Sequence, residues 1–181
     1  HILDIPFWAL GLKYPTRVEG SGPEVDPERT PRSMTTRLEF PDKGVTLHWY
    51  HAKSGPPILK EKGLSGSGMN TLFIGSDGML LTGFNKYQLL PEEKFADFDK
   101  PEKSIPKSPG FYKEWFEAIK GGEPATCDFD YSGPLSETVL LANTAYRAGG
   151  GFDWDAKTLA TGGNSRADAL IRPEFRKGWE V

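Results

Sequence analysis

The sequence predicts an α+β fold: an open-faced, mostly antiparallel β-sheet with helices packed on one face. Three observations predict it. Strand-like alternation clusters in the first half of the chain and helical periodicity in the second, unlike the strict strand–helix alternation of a parallel sheet. Pairs of strand-like segments are joined by short turn sequences, which serve antiparallel neighbours but cannot connect parallel ones. Gly contributes 21 and Pro 15 of 181 residues, which favours short elements separated by long loops.

The elements follow in order. HILDIPFWALGL at 1–12 reads as a helix with Pro6 as its difficulty, because proline lacks an N–H and clashes with the preceding turn. Either Asp4 caps a helix that begins at Ile5 with Pro6 in its first turn, or a longer helix arrives from upstream and kinks near Pro6. Phe7, Trp8, Leu10 and Leu12 are its apolar residues in both cases. YPTRVEGSGP is a short strand with a Gly/Pro stop. TTRLEF and VTLHWYH flank Pro41-Asp42-Lys43-Gly44 and form a hairpin. Alternation puts Val45, Leu47, Trp49 and His51 on one face and Thr46, His48 and Tyr50 on the other. TLFI and MLLTGF flank Gly75-Ser76-Asp77-Gly78 and form a second hairpin. Between the hairpins, AKSGPPILKEKGLSGSGMN is a loop with no apolar period, and residues 91–109 are a second long connection rich in Pro and charge.

The period then changes. In SPGFYKEWFEAIKGG, Ser108 and Pro109 start a helix, Tyr112, Trp115, Phe116 and Ile119 recur at helical spacing, and Gly121 ends it. This helix is expected to cover one face of the sheet. SGPLSETVLLANTAYRAGGG repeats the design, starting at Pro134, stopping at Gly149, with a stripe of Leu135, Val139, Ala142 and Tyr146. The tail holds a short extended piece and a short helix ended by Pro173.

Composition narrows the function classes. The net charge is −3 and the basic residues are dispersed, which argues against a nucleic-acid partner. The single cysteine, Cys127, excludes an intrachain disulfide and Cys-cluster zinc sites. No apolar run is long enough to span a bilayer. SGSG at 65–68 and GGG at 149–151 do not complete G-x-G-x-x-G or join a strand to a helix, so no dinucleotide site is expected in this chain. G-x-S-x-G is missing as well. His48 and His51 point to opposite faces of a strand and make a poor metal pair. His51 reads as a hairpin-edge residue or a sugar contact. His1 and Asp4, spaced i, i+3, would share a helical face, and a carboxylate beside an imidazole suits proton transfer at neutral pH. The same residues also read as a helix cap and a histidine without a partner.

HILDIPFWALGL resembles the entry to the C-terminal domain of the glucose–fructose oxidoreductase, inositol dehydrogenase and rhizopine-catabolism (Gfo/Idh/MocA) family. That family carries D-x-G-x-H-x-x-D there, and His1-Ile2-Leu3-Asp4 matches H-x-x-D. VTLHWYH followed by GPP is similar to the sheet hairpin and loop of a bacterial subgroup. FYKEWFEAIKGGEPATCDFDYSGPLSETVLLANTAYRAGG is similar to its paired helices, and FDWDAKTLATGGNSRADALIRPEFRKGW to its closing segment. The resemblance covers essentially the whole chain.

It implies that residues 1–181 are the substrate-binding and oligomerisation domain of an NAD(P)-dependent oxidoreductase, with a Rossmann nucleotide-binding domain expected upstream. NAD or NADP would be bound by the full-length protein and not by this chain alone, which is expected to be inactive. The substrate would be a sugar or cyclitol. His1 would be the catalytic acid/base, Asp4 a substrate or His-orienting contact, and His51 a further substrate contact. Copies would associate through the free sheet face. Nucleic-acid and membrane partners are not expected, and a bacterial cytoplasm or periplasm would suit equally. Two other readings stand beside this one. A non-enzymatic carbohydrate-binding or assembly module would use Trp49, Tyr50 and His51 as a sugar platform, and a third reading has the fold serving dimerisation only.

Overall fold

The computed structural model describes residues 1–52, 55–65 and 68–180. In chain order its elements are α1 (Asp4–Ala9), β1 (Arg17–Ser21), β2 (Met34–Phe40), β3 (Val45–His51), α2 (Pro57–Glu61), β4 (Thr71–Ile74), β5 (Met79–Thr82), β6 (Tyr87–Leu90), α3 (Phe111–Ile119), α4 (Phe129–Ala148), β7 (Phe152–Asp153) and α5 (Ser165–Ile171). The strands form two antiparallel sheets, ordered β3-β2-β1-β7 and β4-β5-β6. The class is α+β, with the two expected hairpins placed in different sheets. The chain divides into two compact units: Phe7–Leu64 with Pro134–Val181, and His1–Pro6 with Ser65–Gly133.

The first unit holds the four-stranded sheet. β2 and β3 pair without interruption from Met34↔His51 to Phe40↔Val45. The turn between them is a single 3₁₀ turn at Pro41–Lys43, closed by Gly44 at φ +61°, a left-handed conformation that glycine adopts without a Cβ penalty. Along β2, Met34, Thr36, Leu38 and Phe40 are buried while Thr35, Arg37 and Glu39 are half-exposed. The register carries Val18, Gly20, Leu47, Trp49 and Phe152 onto the same inner face.

That inner face is covered by α4. A Cβ on Gly20 would lie 2.4 Å from the backbone nitrogen of Tyr146 and 2.9 Å from the carbonyl carbon of Ala145, so the helix backbone sits directly on β1. Met34, Ala142 and Tyr146 form a buried cluster against which Val25 and Trp49 pack. The Tyr146 hydroxyl donates to the carbonyl of Pro23 at 3.0 Å, and the Trp154 indole N–H donates to Glu137 Oε1 at 2.7 Å.

Three sequence expectations are corrected here. The covering helix is α4, not the Tyr112–Ile119 helix. In α3, Phe111, Tyr112, Trp115, Phe116 and Ile119 are 57–78 % exposed, so its apolar period marks a helix but not a buried one. Next, α4 begins at Phe129, with Pro134 inside it, and its buried residues include Thr138, Leu141, Ala142, Ala145, Tyr146 and Ala148. Val139, expected in the stripe, is exposed, because the close approach at Gly20 turns the small Ala142–Ala145 side of the helix toward the sheet. Finally, Pro57–Glu61 is a short helix within the expected loop. Lys53, Ser54, Gly66 and Ser67 of that loop, including the centre of SGSG, lie outside the described residues.

The second unit holds the smaller sheet. β4 and β5 pair from Ile74↔Met79 to Thr71↔Thr82 around the expected Gly75–Gly78 turn. β6, a strand beyond the two expected hairpins, follows the Gly83-Phe84-Asn85-Lys86 turn, closed by the Gly83 N–H to the Lys86 carbonyl at 2.9 Å, and adds to β5 from Met79↔Leu90 to Thr82↔Tyr87. A 3₁₀ turn at Glu92–Phe95 follows, and a Cβ on Gly78 would lie 2.6 Å from Phe95 Cε2, so this ring lies against the glycine. Before α3, the Ser108 hydroxyl accepts from the Gly110 N–H at 3.0 Å and donates to Glu114, whose carboxylate also accepts the Thr126 hydroxyl at 2.7 Å. The bond from Ser108, and then those from Thr126, hold the Glu114 carboxyl below its ordinary pKa.

Candidate functional site

α1 starts at Asp4 and places Pro6 in its first turn, where the missing N–H removes no intrahelical bond. His1 is exposed and precedes the helix, so the shared helical face expected for His1 and Asp4 does not form. Asp4 has a different partner. Its carboxylate accepts a hydrogen bond from the hydroxyl of Tyr131, a residue of the same unit 127 positions along the chain. Burial of the phenol, then the hydrogen bond and the charge of Asp4, hold Tyr131 above its ordinary pKa. Tyr131 was not singled out from the sequence. No local pattern links it to Asp4, and only the fold brings them together.

His51 ends β3, opposite Met34, and is exposed. The expected platform of Trp49, Tyr50 and His51 is not one surface. Trp49 projects to the inner face and packs on the Met34–Ala142–Tyr146 cluster, whereas Tyr50 projects to the outer face, because neighbouring strand residues alternate.

The outer face of this sheet carries a connected set of polar side chains. Its side chains come from alternate positions of all four strands. Arg17 pairs with Glu19 at 2.9 Å and with Asp153 at 2.9 Å, and Arg37 pairs with Glu19 at 3.6 Å and also with Glu39. The charges therefore run Asp153–Arg17–Glu19–Arg37–Glu39 across the strands. The hydrogen bond to Asp153, then that to Glu19, raises the Arg17 pKa. Beside this ladder, the rings of His48 and Tyr50 stack with centroids 6.5 Å apart and planes at 21°. The hydroxyls of Ser21 and Thr35 share a hydrogen bond at 2.8 Å. Glu19, Ser21, Thr35, Arg37, His48 and Tyr50 line a shallow concavity of about 290 Å³. Half-exposed ion pairs of this kind add little to stability. What they provide is a patterned surface of alternating charge with hydroxyl and imidazole groups at one side.

The glycines at 149–151 do not fit a nucleotide phosphate. They lead from a helix into a strand, and a Cβ on Gly151 would lie 2.8 Å from Glu19 Cγ and 3.0 Å from the Val18 carbonyl oxygen, so that glycine serves close packing beside an acid. Among the described residues no three His, Cys, Asp or Glu side chains group to hold a metal ion, and no helix is long and apolar enough to cross a membrane. No protein-family model matches the chain, and none of the curated proteins matches it.

Proposed function

We propose that this chain is the substrate-binding and assembly domain of an oxidoreductase that uses NAD or NADP to oxidise or reduce a hydroxyl carbon of a sugar or cyclitol. On this reading copies of the chain associate through the outer face of the β3-β2-β1-β7 sheet. The observation that carries the assembly half is the asymmetry of that sheet. One face is packed under α4 at backbone distance, and the other presents the ladder from Asp153 to Glu39. Interfaces with polar, wet surfaces of this kind are common among non-obligate assemblies.

The chemical half is supported by the H-x-x-D match of His1 to Asp4. Oxidation of a hydroxyl carbon needs a base for the hydroxyl proton while the nicotinamide takes the hydride. His1 is solvent-exposed, where an imidazole can exchange a proton, and the Tyr131 hydroxyl holds the Asp4 carboxylate in place. The reading is tested first by the mass of the chain in solution, by sedimentation at increasing concentration. A dimer or larger species is expected, and a monomer at millimolar concentration contradicts the assembly half.

A further inference from the structure

The smaller unit has a second concavity, of about 290 Å³, beside β6 and the 3₁₀ turn that follows it. Tyr87 and Phe98 wall it, and both are about half exposed, at 52 % and 53 %. Leu89 and Phe95 also line it, with Gln88, Glu92 and Lys100 at its polar side.

The walls are held in place. Phe95 lies against Gly78, where a Cβ would meet its ring at 2.6 Å. The turn that carries Phe95 is tied to the β4–β5 hairpin by Lys94, whose ammonium donates to the Asp77 carbonyl at 2.5 Å and pairs with its carboxylate at 3.6 Å. Phe98 packs edge-on to Phe95, with centroids 6.3 Å apart. The Lys100 ammonium stands 5.3 Å over the Tyr87 ring, a cation–π distance. The Gln88 amide donates to the Glu92 carboxylate and orients it. Exposed aromatic rings that are each fixed by a neighbour form a preorganised surface, which lowers the ordering cost of binding.

The lining also constrains the ligand. Aromatic walls suit a ligand with an apolar face. Lys100 and Glu92 balance in charge, so the site favours no net charge on the ligand. An ammonium, a carboxylate and an amide together offer donors and acceptors to hydroxyl groups. A volume near the lower end of small-molecule sites suits a single ring. We propose that this concavity is a binding site for one neutral polyhydroxylated ring, its C–H face against Tyr87 and Phe98 and its hydroxyls toward Gln88, Glu92 and Lys100. The proposal requires neither turnover nor a nucleotide, so it stands or falls separately from the oxidoreductase reading.

The test is saturation-transfer and chemical-shift NMR on the full 181-residue chain, with methyl glucoside, myo-inositol and benzoate as probes. The expected result is binding of methyl glucoside or myo-inositol with a dissociation constant on the order of 1 mM. Shifts should be confined to residues around Tyr87, Phe98 and Lys100. Tyr87→Ala and Phe98→Ala should each weaken binding at least about tenfold. Both rings are half-exposed, and an unchanged melting temperature will show that each variant is folded. No saturation transfer from either polyol overturns the proposal, as does binding unaffected by both variants. Binding of benzoate in preference to the polyols overturns it as well, since that would make the site a receptor for aromatic anions through Lys100.

Discussion

Gly20 and Tyr146 meet at backbone distance: a Cβ on the glycine would stand 2.4 Å from the tyrosine's amide nitrogen. This contact fixes which face of the sheet is the inner one. Neither partner can yield cheaply, because both sides are backbone within regular elements. Gly20→Ala is expected to destabilise the protein by about 2 kcal/mol or more, through overpacking. Urea denaturation followed by circular dichroism will measure it, and an unchanged midpoint would contradict the close seating of α4 on β1.

Thr36 lies on the same inner face, buried, and among the described residues its hydroxyl has no hydrogen-bond partner. A buried donor left unpaired costs about 1–3 kcal/mol, and valine fills the same shape without it. Thr36→Val should therefore stabilise by about 1 kcal/mol, raising the melting temperature by roughly 2–4 °C in a chain of this size. A lower melting temperature would show that the hydroxyl is satisfied in solution.

Tyr131 should titrate late. Its phenol pKa is raised in the folded state, chiefly by burial and then by Asp4. The neutral phenol is thus favoured by folding. The associated stability is fully present below the unfolded tyrosine pKa of about 10, and is lost as pH rises through the folded value. In an ultraviolet titration of the six tyrosines, one should ionise after the others. Asp4→Asn should bring that step down only in part, since burial remains. Six tyrosines ionising together, with the fold intact, would contradict the Asp4–Tyr131 hydrogen bond.

The ladder on the outer sheet face has Arg37 between Glu19 and Glu39. Arg37→Glu places three carboxylates side by side. It should dissociate the expected assembly while shifting the melting temperature little, because exposed ion pairs contribute about 0–1 kcal/mol. Added salt should weaken the wild-type assembly in the same direction. Sedimentation of wild type and variant at low and high salt measures both effects, and equal masses in all four cases would remove this face from the interface.

Much of this architecture is legible in the sequence, and its gaps have physical causes. Alternation in TTRLEF and VTLHWYH, with Gly44 at the turn, specifies a hairpin and its faces because local rules suffice there. β6 escaped because MLLTGF reads as one apolar run, which hides the turn at Gly83-Phe84-Asn85-Lys86, and because YQLL is only four residues long. The aromatic period of α3 announces a helix, but periodicity cannot report whether anything covers it. The face of α4 that is buried depends on a glycine more than a hundred residues away, at position 20. At the candidate site, His1 and Asp4 could be selected by spacing, while the actual partner of Asp4, Tyr131, could not. A hydrogen bond across 127 positions leaves no pattern in the chain.

The most direct test of the oxidoreductase reading uses the protein expressed from its complete reading frame, with NAD and NADP, sugars and cyclitols, following nicotinamide reduction by absorbance. His1 is exposed, so His1→Asn should leave the melting temperature nearly unchanged, yet loss of an acid/base group should lower kcat by roughly 10²–10⁴-fold. Asp4→Asn should lower activity by at least about tenfold if the carboxylate's charge serves the substrate or His1, whereas a purely helix-capping role would tolerate asparagine. The account predicts reduction of the nicotinamide by at least one polyol and its loss in His1→Asn. Full activity in both variants, or no nicotinamide reduction with any polyol, would contradict it.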